Sequence, residues 1–117
     1  MSKLRIHVGD SLETIGERVK DAVRRDRKGG RVREYHITFD SFETLAKVLT
    51  PRRLELLRYV HKRPAASIRA LAQALDRDYR RVHDDVEALA EAGLLERADE
   101  GTGIIAPFDA IETRVAL

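Results

Sequence analysis

The sequence predicts an α+β fold, and three observations carry that prediction. Apolar and polar residues alternate near the N-terminus and again around residue 35, the period of half-buried strands. Between residues 50 and 93 the apolar residues recur at three-and-four spacing, in short runs separated by turn residues. Two short apolar runs, Leu94-Leu95 and Ile104-Ile105, then flank a glycine-containing stretch, as in a hairpin. The length, 117 residues, suits one domain or a small domain with an extension, and can bury a core without staples.

Leu4, Ile6 and Val8 alternate with Lys3, Arg5 and His7 and predict a short strand with one buried face. Gly9 and Asp10 break it. Asp10 and Glu13 stand at capping-box spacing, and Leu12, Ile15, Val19, Ala22 and Val23 predict a helix that stops at Gly29-Gly30. Tyr35, Ile37 and Phe39 alternate with Glu34, His36 and Thr38 as a second strand. Asp40-Ser41 then caps a short helix whose apolar side holds Phe42, Leu45, Val48 and Leu49. Residues 1–49 therefore read as a β-α-β-α module. Two strands make a weak free sheet, so this module is expected to pack on the second half or to pair with another copy.

Thr50-Pro51 combines an N-cap hydroxyl with proline at the first helical position. The helix that follows directs Leu54, Leu57 and Val60 inward and Arg52, Arg53, Glu55, Arg58 and Lys62 outward, and Pro64 stops it. Ser67 caps a second helix with Leu71, Ala72 and Leu75 inward. The turn Asp76-Arg77-Asp78 leads to a third helix, on which Tyr79, Val82, Val86 and Leu89 recur before Gly93 ends it. The hairpin follows, and Ile111, Thr113 and Val115 alternate as a final strand. Three helices and a hairpin in this order are those of a winged helix-turn-helix, so residues 50–117 are expected to form that domain, with the C-terminal strand included. Asp76 stands where such a turn usually has glycine, and aspartate tolerates the left-handed conformation better than most residues.

Charge narrows the function. Residues 50–83 carry 9 basic and 3 acidic side chains, net +6, whereas residues 84–117 carry 2 basic and 9 acidic, net −7. A basic centre fits a polyanion, with the acidic end turned away from it. After the Asp78 cap, the third helix exposes Tyr79, Arg80, Arg81, His83 and Asp84 in its leading turns while Val82 and Val86 anchor it. A recognition helix needs that arrangement. One arginine is expected to read a base edge and the other to hold phosphate, in an order the sequence leaves open. Tyr79 either joins the core or stacks on sugar or base. Asp84 either accepts from a cytosine amino group or orients Arg80 or Arg81, and Asp85 reads as plain surface. Arg52, Arg53, Ser67, Arg69 and Arg77 complete the candidate DNA-binding set. The tip residues Asp99 and Glu100 argue against insertion of the hairpin into the minor groove.

Other classes are weakly supported. The absence of cysteine excludes disulfides, thiolate catalysis and Cys-based zinc sites, and suits a reducing cytoplasm. His7, His36, His61 and His83 lack metal-ligand spacing. Asp84 and Asp85 point about 100° apart on a helix and cannot share a proton. No nucleotide-binding glycine loop or nucleophile–base motif is present. Neither a signal peptide nor an apolar run long enough to span a membrane is visible. The expectation is a cytoplasmic protein that is not an enzyme and needs no cofactor or metal.

The stretch from Leu49 to Leu95 resembles winged helix-turn-helix transcriptional regulators of the MarR/ArsR type. The likeness rests on Leu49-Thr50-Pro51-Arg52-Arg53-Leu54-Glu55-Leu56-Leu57, on Ser67-Ile68-Arg69-Ala70-Leu71-Ala72 and on Asp84-Asp85-Val86-Glu87-Ala88-Leu89. With Pro107-Phe108-Asp109 these pieces resemble small MarR-like regulators of archaea and bacteria, often encoded beside a toxin and similar to its antitoxin. The resemblance implies binding of double-stranded DNA as a homodimer, repression of the protein's own operon, and a cognate toxin as a candidate partner. The rival reading is a protein-interaction module, an antitoxin or adaptor whose winged helix is only a scaffold.

Overall fold

Alternation at the N-terminus does produce a strand, but one with neighbours on both sides. The computed structural model describes residues 2–9, 33–98, 101 and 103–117. The helix expected from Asp10 to Arg27, its Gly29-Gly30 stop and the tip residues Asp99, Glu100 and Thr102 lie outside the described residues. Strand β1 (Ser2–Val8) pairs in parallel with β2 (Arg33–Phe39) and, on its other edge, with β5 (Ala110–Val115). The sheet order is β2-β1-β5.

Register explains the two faces. Leu4 lies beside Tyr35 and Ile111, Ile6 beside Ile37 and Thr113, and Val8 beside Phe39 and Val115. In-register residues of parallel strands share a face, so these rows build the apolar side, and Leu4, Ile6 and Val8 are buried. The opposite face carries Arg5 beside His36 and Glu112, and His7 beside Thr38 and Arg114. His7 is 2% exposed, so β1 is covered on both faces there, as the middle strand of a parallel sheet usually is. His7 Nε2 and His36 Nδ1 lie 2.7 Å apart, one ring donating to the other, with the rings stacked. Arg5 reaches Glu34 at 3.4 Å and Glu112 at 3.5 Å.

The structure differs here from the expected division at residue 50. The chain separates into one unit of residues 1–47 and 108–117 and a second of residues 48–107. The C-terminal strand therefore belongs with the N-terminal sheet. The physical reason is that β1 has two ladder edges and β2 satisfies only one. Asp109 N–H donates to Ser2 O, and Ser2 N–H to Asp109 Oδ2, which starts the register. With a third strand supplied by the same chain, the sheet needs no second copy to reach three strands. Helix α1 (Phe42–Val48) follows β2, and Thr44 N–H donates to the Ser41 hydroxyl at its start. Leu45 is buried, but Phe42 is 58% exposed rather than on a covered apolar side.

In the second unit, helix α2 (Pro51–Lys62) starts where Thr50 Oγ1 accepts from Arg53 N–H. It buries Leu56, Leu57 and Val60. Leu54, expected inward, is only half-buried, whereas Leu56, like Val60, is at 0% exposure. Helix α3 (Ile68–Leu75) starts at Ser67, whose hydroxyl accepts from Ala70 N–H, and buries Ile68, Leu71 and Ala72. Helix α4 (Tyr79–Glu91) buries Val82, Val86 and Leu89.

Strands β3 (Glu96–Arg97) and β4 (Ile104–Ile105) pair antiparallel. Ala65 adds a one-residue rung, exchanging backbone hydrogen bonds with Ile104 at 3.0 and 2.8 Å. His61 Nδ1 lies 2.8 Å from Ala106 O and donates to it. Leu89, Leu94, Leu95 and Ile104 complete an apolar core. The described chain is thus a small α+β protein with a parallel three-stranded sheet, four helices and a two-stranded antiparallel pair.

Candidate functional site

The turn between α3 and α4 is built by backbone chemistry. Asp76 adopts φ 51° and ψ 50°, the left-handed region that aspartate tolerates. Its N–H donates to Gln73 O at 3.2 Å and the Arg77 N–H to Ala72 O at 3.0 Å, the paired bonds of a left-handed helix stop. Gly93, at φ 88°, ends α4 with the equivalent pair, Gly93 N–H to Ala90 O and Leu94 N–H to Leu89 O. The Asp78 carboxylate then accepts from Arg81 N–H at 3.1 Å and caps α4.

This start presents Tyr79, Arg80 and Arg81 to solvent while Val82 and Val86 are at 0% exposure. Tyr79 is 48% exposed, which resolves its open placement in favour of the surface. The Arg69 guanidinium lies 5.8 Å from the centroid of the Tyr79 ring, in cation–π range, and the His83 ring is 6.1 Å from that of Tyr79. Arg69, Gln73, Asp76, Arg77 and Tyr79 line an open notch of about 460 Å³ beside the turn.

Arg80 makes a loose i,i+4 pair with Asp84 at 3.5 Å, both largely exposed, which leaves the guanidinium free to exchange partners. The Arg81 side chain has no ion-pair partner among the described residues. His83 is half-exposed, 3.6 Å from Asp84 and 3.9 Å from Glu87. Glu87 also binds Arg97 of β3 at 2.8 Å. Arg80, Asp84, Glu87 and Glu91 are exposed at spacings that share one helical stripe, so positive charge on that stripe is confined to the first turn.

Two arginines of the candidate DNA-binding set, Arg53 and Arg77, make ion pairs within the unit. Arg53 Nε donates to Asp85 at 2.9 Å and its Nη1 to Val48 O at 3.0 Å, with side-chain exposure near 20% for both partners of the ion pair. Asp85, expected as plain surface, is therefore the α4 end of a bridge to α2. Arg77 donates to Glu55 Oε2 at 2.8 Å and to Arg52 O at 3.3 Å. Arg52 itself is exposed, and Ser67 serves as the α3 cap. The partners Glu55 and Asp85 were missed because they lie 22 and 32 residues from the arginines they hold.

Among the described residues, no group of three or more His, Cys, Asp or Glu can hold a metal ion, and no helix is long and apolar enough to cross a membrane.

The fold and site thus define a small α+β protein with a capped, basic helix start exposed beside a left-handed turn. The HVO_A0114 family model matches residues 48–113, more than half of the chain, and the protein belongs to that family. Neither the curated proteins nor the solved structures provide a match.

Proposed function

We propose that residues 48–107 are a winged helix-turn-helix and that the protein is a transcriptional regulator binding double-stranded DNA through the first turns of α4. The observation that carries this reading is the Asp78-capped start of α4, with Tyr79, Arg80 and Arg81 exposed above the buried Val82 and Val86. Side chains on a helix start held in this way can reach base edges in a major groove while the helix stays anchored. Arg52 on α2 and Arg69 on α3 are exposed and supply cations for the phosphate backbone. The acidic stripe further along α4 favours entry by the helix tip, with the helix C-terminus and β3 kept from the phosphates.

In this reading the protein acts as a homodimer, because a two-fold places two recognition helices about 34 Å apart, one turn of DNA. Repression of its own operon, with a toxin as a further partner, belongs to the same proposal and rests on the resemblance to MarR-like regulators. No catalytic group or cofactor enters it.

The test is binding of the parent, Arg80→Ala and Arg81→Ala to its upstream DNA and to a scrambled duplex across a salt series. The base-reading arginine should lose on the order of 1–3 kcal/mol on the cognate site alone. The phosphate-binding arginine should weaken both duplexes and lower the salt slope by about one unit. Two folded variants that bind as the parent does would remove α4 from the interface and leave the interaction-module reading.

A further inference from the structure

We infer that two ion pairs reaching out from the start of α2, Arg53–Asp85 and Glu55–Arg77, position the leading turns of α4 on DNA and govern discrimination between sequences, not attachment to phosphate. This inference rests on the DNA-binding reading above. It reassigns two arginines that charge alone places on the phosphate backbone.

The geometry brackets the reading surface. Residues 79–84 of α4 lie between Arg77, just ahead of the Asp78 cap, and Asp85, just past the leading turns. Both fixing points are held by α2, at Glu55 and Arg53. Each arginine is also tied to backbone. Arg53 donates to Val48 O, and Arg77 donates to Arg52 O while its own N–H caps α3 through Ala72 O. Arg77 is 16% exposed in its side chain and Arg53 19%, so neither guanidinium is presented to solvent as Arg80 is at 82%.

The buried Val82 and Val86 set how deeply α4 sits and which face it turns inward, although the hydrophobic attraction that buries them is itself non-directional. Charge-assisted hydrogen bonds are directional, and one at each end of the leading turns fixes both tilt and rotation. Base readout needs placement within about 0.5 Å and 10–20°. Attraction to phosphate acts over a Debye length of about 8 Å and tolerates such displacement. Loosening the bracket should therefore damage specific binding and spare non-specific binding. The Arg77 contact to Arg52 O also couples the exposed Arg52 on α2 to the register of α4.

The experiment uses the full chain, a duplex selected by the parent from a random pool, and a scrambled duplex of equal length. Glu55→Gln, Arg77→Ala, Asp85→Asn and the Glu55→Gln/Arg77→Ala double variant are compared across a salt series after their melting curves are recorded. Glu55 is 65% exposed in its side chain, so Glu55→Gln keeps the test usable if another variant fails to fold. The expected result is a fall of about tenfold or more in the ratio of selected to scrambled affinity, the scale of one lost base contact. The salt slope should stay unchanged, and the double variant should be no worse than Arg77→Ala. A slope lowered by about one unit for Arg77→Ala on both duplexes makes Arg77 a phosphate contact and overturns the inference. A Glu55→Gln protein with an unaltered ratio, including one with a uniform gain on both duplexes, overturns it too. Failure of the parent to bind any duplex sinks the DNA-binding reading itself, and so is distinct from binding with an unaltered ratio.

Discussion

The two units solve the burial problem in opposite ways. The sheet unit brings ionisable side chains onto one face of its strands, with His7 and His36 stacked and Arg5 between Glu34 and Glu112. Its ladder depends on residues more than a hundred positions apart, as the bond between Ser2 and Asp109 shows. The helical unit has a hydrocarbon core of Leu56, Val60, Leu71, Val82, Val86 and Leu89, and its helix ends are capped by groups three to five positions away. The contrast teaches that helix ends can be specified locally whereas the middle strand of a parallel sheet cannot be completed locally. On the sheet face, neighbouring strands supply His36 as a partner for His7, and Glu34 and Glu112 as partners for Arg5.

Removing residues 108–117 is the sharpest way to break the comparison. It uncovers one ladder edge of β1, so β1 amides should lose protection from hydrogen exchange while those of α2 and α4 keep theirs. Equal protection of β1 in the shortened chain would show that β5 is dispensable to the sheet.

Next in size are the two cores. Ile6→Ala and Leu56→Ala each truncate a side chain at 0% exposure and should each cost about 2–5 kcal/mol. Urea unfolding followed at β1 and α2 amides should assign each loss to its own unit. A loss below about 1 kcal/mol would mean that the site collapses around the deletion.

Smaller effects test local specification. Asp78→Ala removes the α4 cap and should cost about 1 kcal/mol by thermal or urea melting. Asp76→Val forces a β-branched residue into the left-handed region and should cost about 1–2 kcal/mol, whereas Asp76→Gly should be near neutral. A tolerated valine there would mean that the turn has another accessible conformation. The smallest effect belongs to Glu43→Gln. The Glu43–Lys47 pair is highly exposed on both sides, and its loss should change stability by no more than about 0.5 kcal/mol.

What could be read from the sequence follows the same division. Thr50, Ser67 and Asp78 were legible as caps, and Asp76 as a left-handed residue, because each signal is complete within a few positions. The strand at Ile111 to Val115 was legible as a strand, but its partner was not, since alternation carries no information about which edge it joins. Leu54 competes with Leu56 for the inward position because a helix with leucines at 54, 56 and 57 offers two overlapping apolar stripes. The exposed start of α4 was legible from the cap and the valine spacing. The duties of Arg53 and Arg77 were not, because a basic residue looks the same in sequence whether its partner is solvent or a distant carboxylate.

One consequence of the sheet order concerns synthesis. In sequence, residues 48–107 are inserted between the pieces of the sheet unit, and β5 comes from the last ten residues. On a ribosome the helical unit can therefore fold while β1, which is made before it, still waits for its second neighbour. β1 is made before the helical unit yet gains its second neighbour only after it, and a chain stalled after residue 107 would leave an open strand edge for chaperones to guard.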